Sequence, residues 1–175
     1  EAGATAAEAY PGIAYDAEAL LIYSEIDPAL HTAVANLPAG APLPGSTLNY
    51  QPKYFLVNGV VGDSTVAAAT VSPANRLLLR FLNAGLKEHA PQVLGSYVSA
   101  VAEDGKPYPY ARQHASLLLA AGKALDAILV PAAPGNYPIK LVGSAAFQNQ
   151  PQSFELNQAA ITGPPVSIAL ASAGP

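Results

Sequence analysis

Three imidazoles, His31, His89 and His114, are the only side chains of this sequence suited to nitrogen coordination, and no thiol accompanies them. Three imidazoles with an open position could hold a zinc or copper ion, but their spacing offers no support for a shared site. The absence of cysteine removes disulfides, thiolate zinc sites and cysteine nucleophiles together. Two carboxylate pairs could serve acid–base chemistry, Glu103-Asp104 and Glu25 with Asp27. Each has a structural reading beside it. Asp104-Gly105 is a hairpin signal, and Asp27 precedes Pro28 as a helix cap would. Ser96 lies in Gly95-Ser-Tyr-Val, which lacks the nucleophile-elbow pattern. Gly143-Ser-Ala-Ala lacks the lysine of a phosphate loop. Tyr108-Pro109-Tyr110 reads as an aromatic patch, either a contact surface or a loop packed against the body.

The elements that must position these groups are short. Seventeen prolines and fourteen glycines interrupt the 175 residues too often for long helices. Apolar runs of strand length lie between the breaks: Ala17–Ser24, Tyr54–Val57, Thr65–Val71, Arg76–Asn83, Pro91–Leu94, Tyr97–Ala102, Ser116–Leu119, Ala124–Val130 and Tyr137–Val142. In Arg76–Asn83, Leu77, Leu79 and Phe81 share one face, while Arg76, Leu78, Arg80 and Leu82 share the other. Asn58-Gly59 and Asp104-Gly105 predict tight hairpins, because both pairs tolerate positive φ. Asp27 as N-cap and Pro28 at the first helical position predict one short helix, with His31 near its C-terminal end. Residues Asn36–Ser46 read as a loop, and His114 as a loop residue ahead of a strand.

Lysine and arginine are few and scattered, and the net charge is −4. That argues against nucleic acid and anionic membranes as partners, since both require clustered positive charge. No run approaches the roughly 18 apolar residues of a membrane span. The chain opens at Glu1 with no basic or apolar leader pattern, the expectation for a processed product or an excised fragment.

Four segments in order resemble the second cupredoxin domain of a three-domain multicopper oxidase. They are Ser24-Glu-Ile-Asp-Pro-Ala-Leu-His31, Tyr54-Phe-Leu-Val-Asn-Gly59, Arg76-Leu-Leu-Leu-Arg-Phe-Leu-Asn-Ala-Gly85, and Val101-Ala-Glu-Asp-Gly-Lys-Pro-Tyr-Pro109 followed by Leu118–Ile128. The resemblance implies a fold and a redox family, and the ligand positions depart from it. A copper-bearing domain of that family would continue into "His-Pro-x-His-x-His-Gly". Here the run is His89-Ala-Pro-Gln92-Val-Leu94-Gly95, so only the first place holds an imidazole. A blue copper centre also needs a Cys thiolate and usually a weak axial Met, and the chain has neither.

The expected fold is all-β: a cupredoxin-like Greek-key β-sandwich with extended N- and C-terminal arms and one short helix. It is expected as a single domain over 1–175, with a core of about 15–145 and arms at 1–14 and 146–175. The resemblance implies a non-catalytic structural domain that holds copper-bearing neighbour domains apart. It assigns no catalytic residue, no cofactor-binding residue and no copper to this chain, and leaves His89 as the one metal candidate. Expected partners are neighbouring cupredoxin domains or a second copy of the chain. The parent family is often periplasmic or secreted. The alternatives are a copper-binding electron-transfer or oxidase module built on His89, and a sandwich that binds protein or carbohydrate through Tyr108 and Tyr110.

Overall fold

The computed structural model describes residues 7–42, 50–61, 66–72, 74–134, 136–141 and 166–169. Its strands are β1 (Ala7–Tyr10), β2 (Ile13–Tyr15), β3 (Ala17–Ile26), β4 (Tyr54–Val57), β5 (Val60–Val61), β6 (Val66–Thr70), β7 (Leu77–Asn83), β8 (Pro91–Val93), β9 (Val98–Glu103), β10 (Lys106–His114), β11 (Ala124–Leu129), β12 (Asn136–Leu141) and β13 (Val166–Ala169). A helix, α1 (Pro28–Ala35), follows β3. Seven strands form one sheet in the order β10-β9-β11-β7-β3-β4-β5, and four form a second in the order β6-β13-β12-β8. Most neighbours run antiparallel, while β3 runs parallel to β7 and β13 parallel to β6. Such parallel pairs need long crossovers, so the strand order is not the chain order.

The two sheets close on one apolar core. Leu21 and Tyr23 of β3, Leu77, Leu79 and Phe81 of β7, and Ala127 and Leu129 of β11 meet Val93 of β8 and Ile139 of β12. This is the all-β sandwich expected from the strand pattern. The two faces of β7 separate as the alternation predicts. Leu77, Leu79 and Phe81 enter the main core, whereas Leu78 joins a second cluster with Val101 and Ile128. That outer cluster is covered by Ala9, Ile13 and Tyr15. Tyr10 fastens the cover, its hydroxyl donating to Asp126 Oδ2 at 2.7 Å. Burial and the Asp126 carboxylate push that hydroxyl up to about 12. Arg80, on the same face, lies 3.4 Å from Glu18 and 3.9 Å from Asp126.

Turn chemistry follows the sequence closely. Asn58 and Gly59 adopt φ of 50° and 79°, and Asp104 and Gly105 adopt 48° and 76°. These left-handed pairs suit the right-handed twist of the flanking strands. Asn58 does more than turn the chain. Its side chain accepts from Ile22 N at 2.8 Å and donates to Leu20 O at 2.9 Å, which braces the middle of β3. Asp27 caps α1 as expected, accepting from Ala29 N and Leu30 N.

Some expectations require correction. Residues 7–14, read as part of an arm, form a hairpin with Tyr15, whose two strands are too short to show a period. Ser116–Leu119 is not a strand. It makes a single bridge, Leu119 opposite His89, and sends Leu117 and Leu119 into the core. Tyr108–Tyr110 is not a loop but part of β10, and His114 ends that strand rather than preceding one. Prolines 107 and 109 are accommodated because β10 is a sheet edge, where missing N–H donors are tolerated. His31 lies mid-helix, since α1 continues to Ala35, so the helix-end argument does not apply to it. In the C-terminal arm, Val166–Ala169 forms a strand between β12 and β6. The rest of that arm, residues 1–6, the Gly143-Ser144 pair and the second part of the Asn36–Ser46 loop lie outside the described residues.

Leu78→Ala tests the hairpin-covered cluster. It should lower the unfolding free energy by about 2–5 kcal/mol, the range for truncating a buried leucine, in a urea titration. A loss well below this range would mean that the hairpin does not seal that face.

Candidate functional site

The parallel pairing of β3 with β7 places Tyr23 beside Asn83. Two residues further along β3, Glu25 therefore faces the corner that follows Asn83. The corner is built around its carboxylate. Leu86 N and Lys87 N donate to Glu25 Oε1 at 2.5 and 2.8 Å. Asn83 shapes the turn, with its Oδ1 accepting from Gly85 N at 2.9 Å and its Nδ2 donating to Lys87 O at 2.7 Å and Leu119 O at 3.2 Å. Gly85 is required sterically: an added Cβ would run into the Glu25 carboxylate. The Asn-Ala-Gly corner is thus a mould for an anion supplied by β3.

His89 closes the other side. Its backbone exchanges two hydrogen bonds with Leu119, at 2.9 and 2.8 Å. The residue is 6% exposed, and its ring packs against Tyr23 at 5.5 Å and edge-on against Phe55 at 6.4 Å. His89 Nε2 stands 3.5 Å from Glu25 Oε2, and the Glu25 side chain is fully buried. Neither of these two facing atoms has a protein hydrogen-bond partner. Burial holds the His89 pKa below the ordinary imidazole value, against the opposing pull of Glu25 and Glu88. Nearby, burial and the Glu25 charge push the Tyr50 hydroxyl up to about 12. The corner therefore holds the buried Glu25 side chain beside an imidazole whose protonation burial disfavours.

At the corner, the described residues offer copper one donor of the kinds its sites use. Imidazole, thiolate and thioether are the donors that copper sites use, and His89 stands alone among them. Gln92 is half-buried on β8 between buried Pro91 and Val93. Leu94 brings no donor. His31 sits exposed on α1 and His114 at the end of β10. Among the described residues, no group of three or more His, Cys, Asp or Glu side chains is placed to hold a metal ion.

The other carboxylates have structural partners. The backbone N–H of Gln51, with those of Leu30 and Ala29, holds Asp27 below the usual carboxylate range. The Lys123 ammonium does the same for Asp104, and also lies 3.2 Å from Glu103. Tyr108 donates to Glu103 at 3.0 Å. The pairing of Glu25 with His89 was not visible in the sequence, where Glu25 grouped with Asp27. Only the parallel β3–β7 register brings the two together, and no local motif encodes that register.

The sequence model of the family described as "Multicopper oxidase" matches residues 28–162. No curated protein matches the chain. Among solved structures, the chain is similar to the blue copper oxidase from Nitrosomonas europaea, with 21% identity, a TM-score of 0.62, and 87% of this chain and 43% of that one covered. It is similar to the Cu-containing nitrite reductase from Thermus scotoductus, with 18% identity, a TM-score of 0.64, and 94% and 33% covered. It is also similar to the laccase from Botrytis aclada, with 19% identity, a TM-score of 0.59, and 92% and 30% covered. The chain spans less than half the length of these solved chains. At such identities the likeness is one of fold.

Two measurements probe the corner. Gly85→Ala should cost about 1–3 kcal/mol, as overpacking does, and should cost less in a Glu25→Ala background. An equal cost in both backgrounds would detach Gly85 from the carboxylate. The second concerns pH. The imidazole binds protons more readily when unfolded, with a pKa near 6.5. Its stabilising contribution is therefore fully present above about pH 6.5 and is lost as the pH falls through the lower folded value. Urea titrations between about pH 7.5 and pH 5 should show stability declining with acid, above the range where Asp27 and Asp104 titrate. His89→Phe should flatten that slope, and an unchanged slope would contradict the assignment.

Proposed function

The chain belongs to the multicopper oxidase family, and on that premise we propose that it is a copper-free, non-catalytic cupredoxin domain of the middle-domain kind. Its role in this reading is mechanical. It holds copper-bearing neighbour domains at a fixed separation and orientation, and carries no electrons itself. The observation that carries the proposal is the state of His89. The residue in the first ligand place is buried against Glu25 and boxed by Tyr23 and Phe55, while Gln92 and Leu94 follow where further imidazoles would be needed. These 175 residues also hold no cysteine to supply the thiolate that a blue copper centre requires.

The rest of the architecture suits a spacer. Domains that sit between others must transmit position, so their elements should be tied to one another. Here one carboxylate joins β3 to the corner after β7, Asn83 joins that corner to Leu119, and Asn58 joins the β4–β5 hairpin back to β3. One unit, with a core of about 15–145 and the N-terminal hairpin as its outer cover, is the domain proposed. Its partners are then the cupredoxin domains on either side.

Addition of Cu(II) to the purified chain tests the proposal. The solution should show no intense thiolate-to-copper charge-transfer band, and electron paramagnetic resonance should show no stoichiometric tight site. A tight one-to-one site abolished by His89→Ala would overturn the reading in favour of a copper module.

A further inference from the structure

Strand β10 is exposed along almost its whole length and forms the outer edge of the larger sheet. Beside it lies a groove of about 530 Å³. That volume falls within the roughly 300–1,000 Å³ range of small-molecule sites. Ala100, Leu117 and Leu125, all part of the main core, contribute its apolar floor. Tyr108, Tyr110 and Leu118 supply its walls, with Tyr110 84% and Leu118 60% exposed. Exposed aromatic and leucine side chains gathered around one concavity are unusual for a surface that contacts only water.

Arg112 brings a positive charge to the lining, which also includes His114, and no carboxylate among the described residues lines the groove. Glu103, the carboxylate that touches a wall, accepts from Tyr108 and lies 3.2 Å from Lys123. The ion pairs among the described residues involve Arg80, His89 and Lys123, and leave Arg112 out. A guanidinium beside aromatic rings suits a planar carboxylate, which it can meet with two parallel hydrogen bonds. Strand addition at this edge is disfavoured. The β9–β10 register breaks between Pro107 and Arg112, and Pro107 and Pro109 lack N–H donors. Recognition here must therefore use side chains.

From the apolar floor, the tyrosine walls and the Arg112 charge, we infer that the β10 groove binds flat apolar anions of the aromatic carboxylate class. The ring lies against Tyr110 and Leu118, and the carboxylate meets Arg112. Binding involves no chemical step, and the inference stands independently of the spacer reading.

The test titrates the isotope-labelled 175-residue chain with naphthoate, and separately with the neutral naphthalene methanol, following amide shifts by NMR. Naphthoate should bind saturably and shift amides of β10 and of residues 117–118, more tightly than the neutral analogue. Tyr110→Ala should weaken it at least about tenfold, the scale of an aromatic anchor. Arg112→Gln should bring naphthoate down to the affinity of the neutral compound. Both side chains are exposed, and spectra of the variants away from β10 verify the fold. Three results would overturn the inference: no saturable binding, shifts centred elsewhere, or naphthoate affinity unchanged by Arg112→Gln. A Tyr110-dependent dimer in sedimentation, with no naphthoate shifts, would likewise overturn it by assigning the groove to a second copy of the chain.

Discussion

A carboxylate removed from water must be met by donors, because an unsolvated charge in an apolar interior costs several kcal/mol. Glu25 sets that condition here, and the surrounding structure satisfies it. Two backbone N–H groups of the corner point at one oxygen, Asn83 folds the corner into shape, and Gly85 leaves room for the carboxylate. His89 lies against the other oxygen. Loss of the Asn83 side chain or of the Glu25 carboxylate leaves buried N–H groups short of a partner, the costly side of hydrogen bonding in proteins. The site thus fixes β3, the end of β7 and the Leu119 segment relative to one another. It also accounts physically for a motif, Asn-Ala-Gly, that sequence comparison alone presents only as a pattern.

The same larger sheet carries two further surfaces with different fates. The outer face of β7, β9 and β11 would expose Leu78, Val101 and Ile128, and the β1–β2 hairpin covers them. The Tyr10–Asp126 hydrogen bond and the nearby Arg80 charge hold that cover by polar contacts at its rim. The free edge at β10 is treated in the opposite way. Prolines and a broken register discourage another strand from adding to it, yet its tyrosines remain open to solvent. One sheet thus combines a buried core face, a sealed outer face and an accessible edge.

Much of the fold was legible in the sequence, for identifiable reasons. The period-2 alternation in Leu77–Phe81 announced both faces of β7, and Asn58-Gly59 and Asp104-Gly105 announced their turns through the left-handed backbone they require. Asp27 with Pro28 announced the helix start. What failed was local information of the wrong kind. Tyr108–Tyr110 was legible as an aromatic patch but not as a strand, because edge position is a property of the whole sheet. Ser116–Leu119 looked like a strand because it is a short apolar run between breaks, although its leucines pack without a ladder. At the site, His89 was legible as a residue and its partner was not. Glu25 reaches it across the parallel β3–β7 pairing, which depends on a long crossover that no short segment specifies.

In the proposed spacer domain, His89 is a structural residue held against Glu25 and its aromatic box, within a family whose name refers to copper. The most direct test is NMR of the three histidine rings during stepwise addition of Cu(II). Exposed His31 should broaden first, while the His89 ring resonances stay sharp well past one equivalent. Selective broadening of His89 at substoichiometric copper, ahead of His31 and His114, would contradict that role.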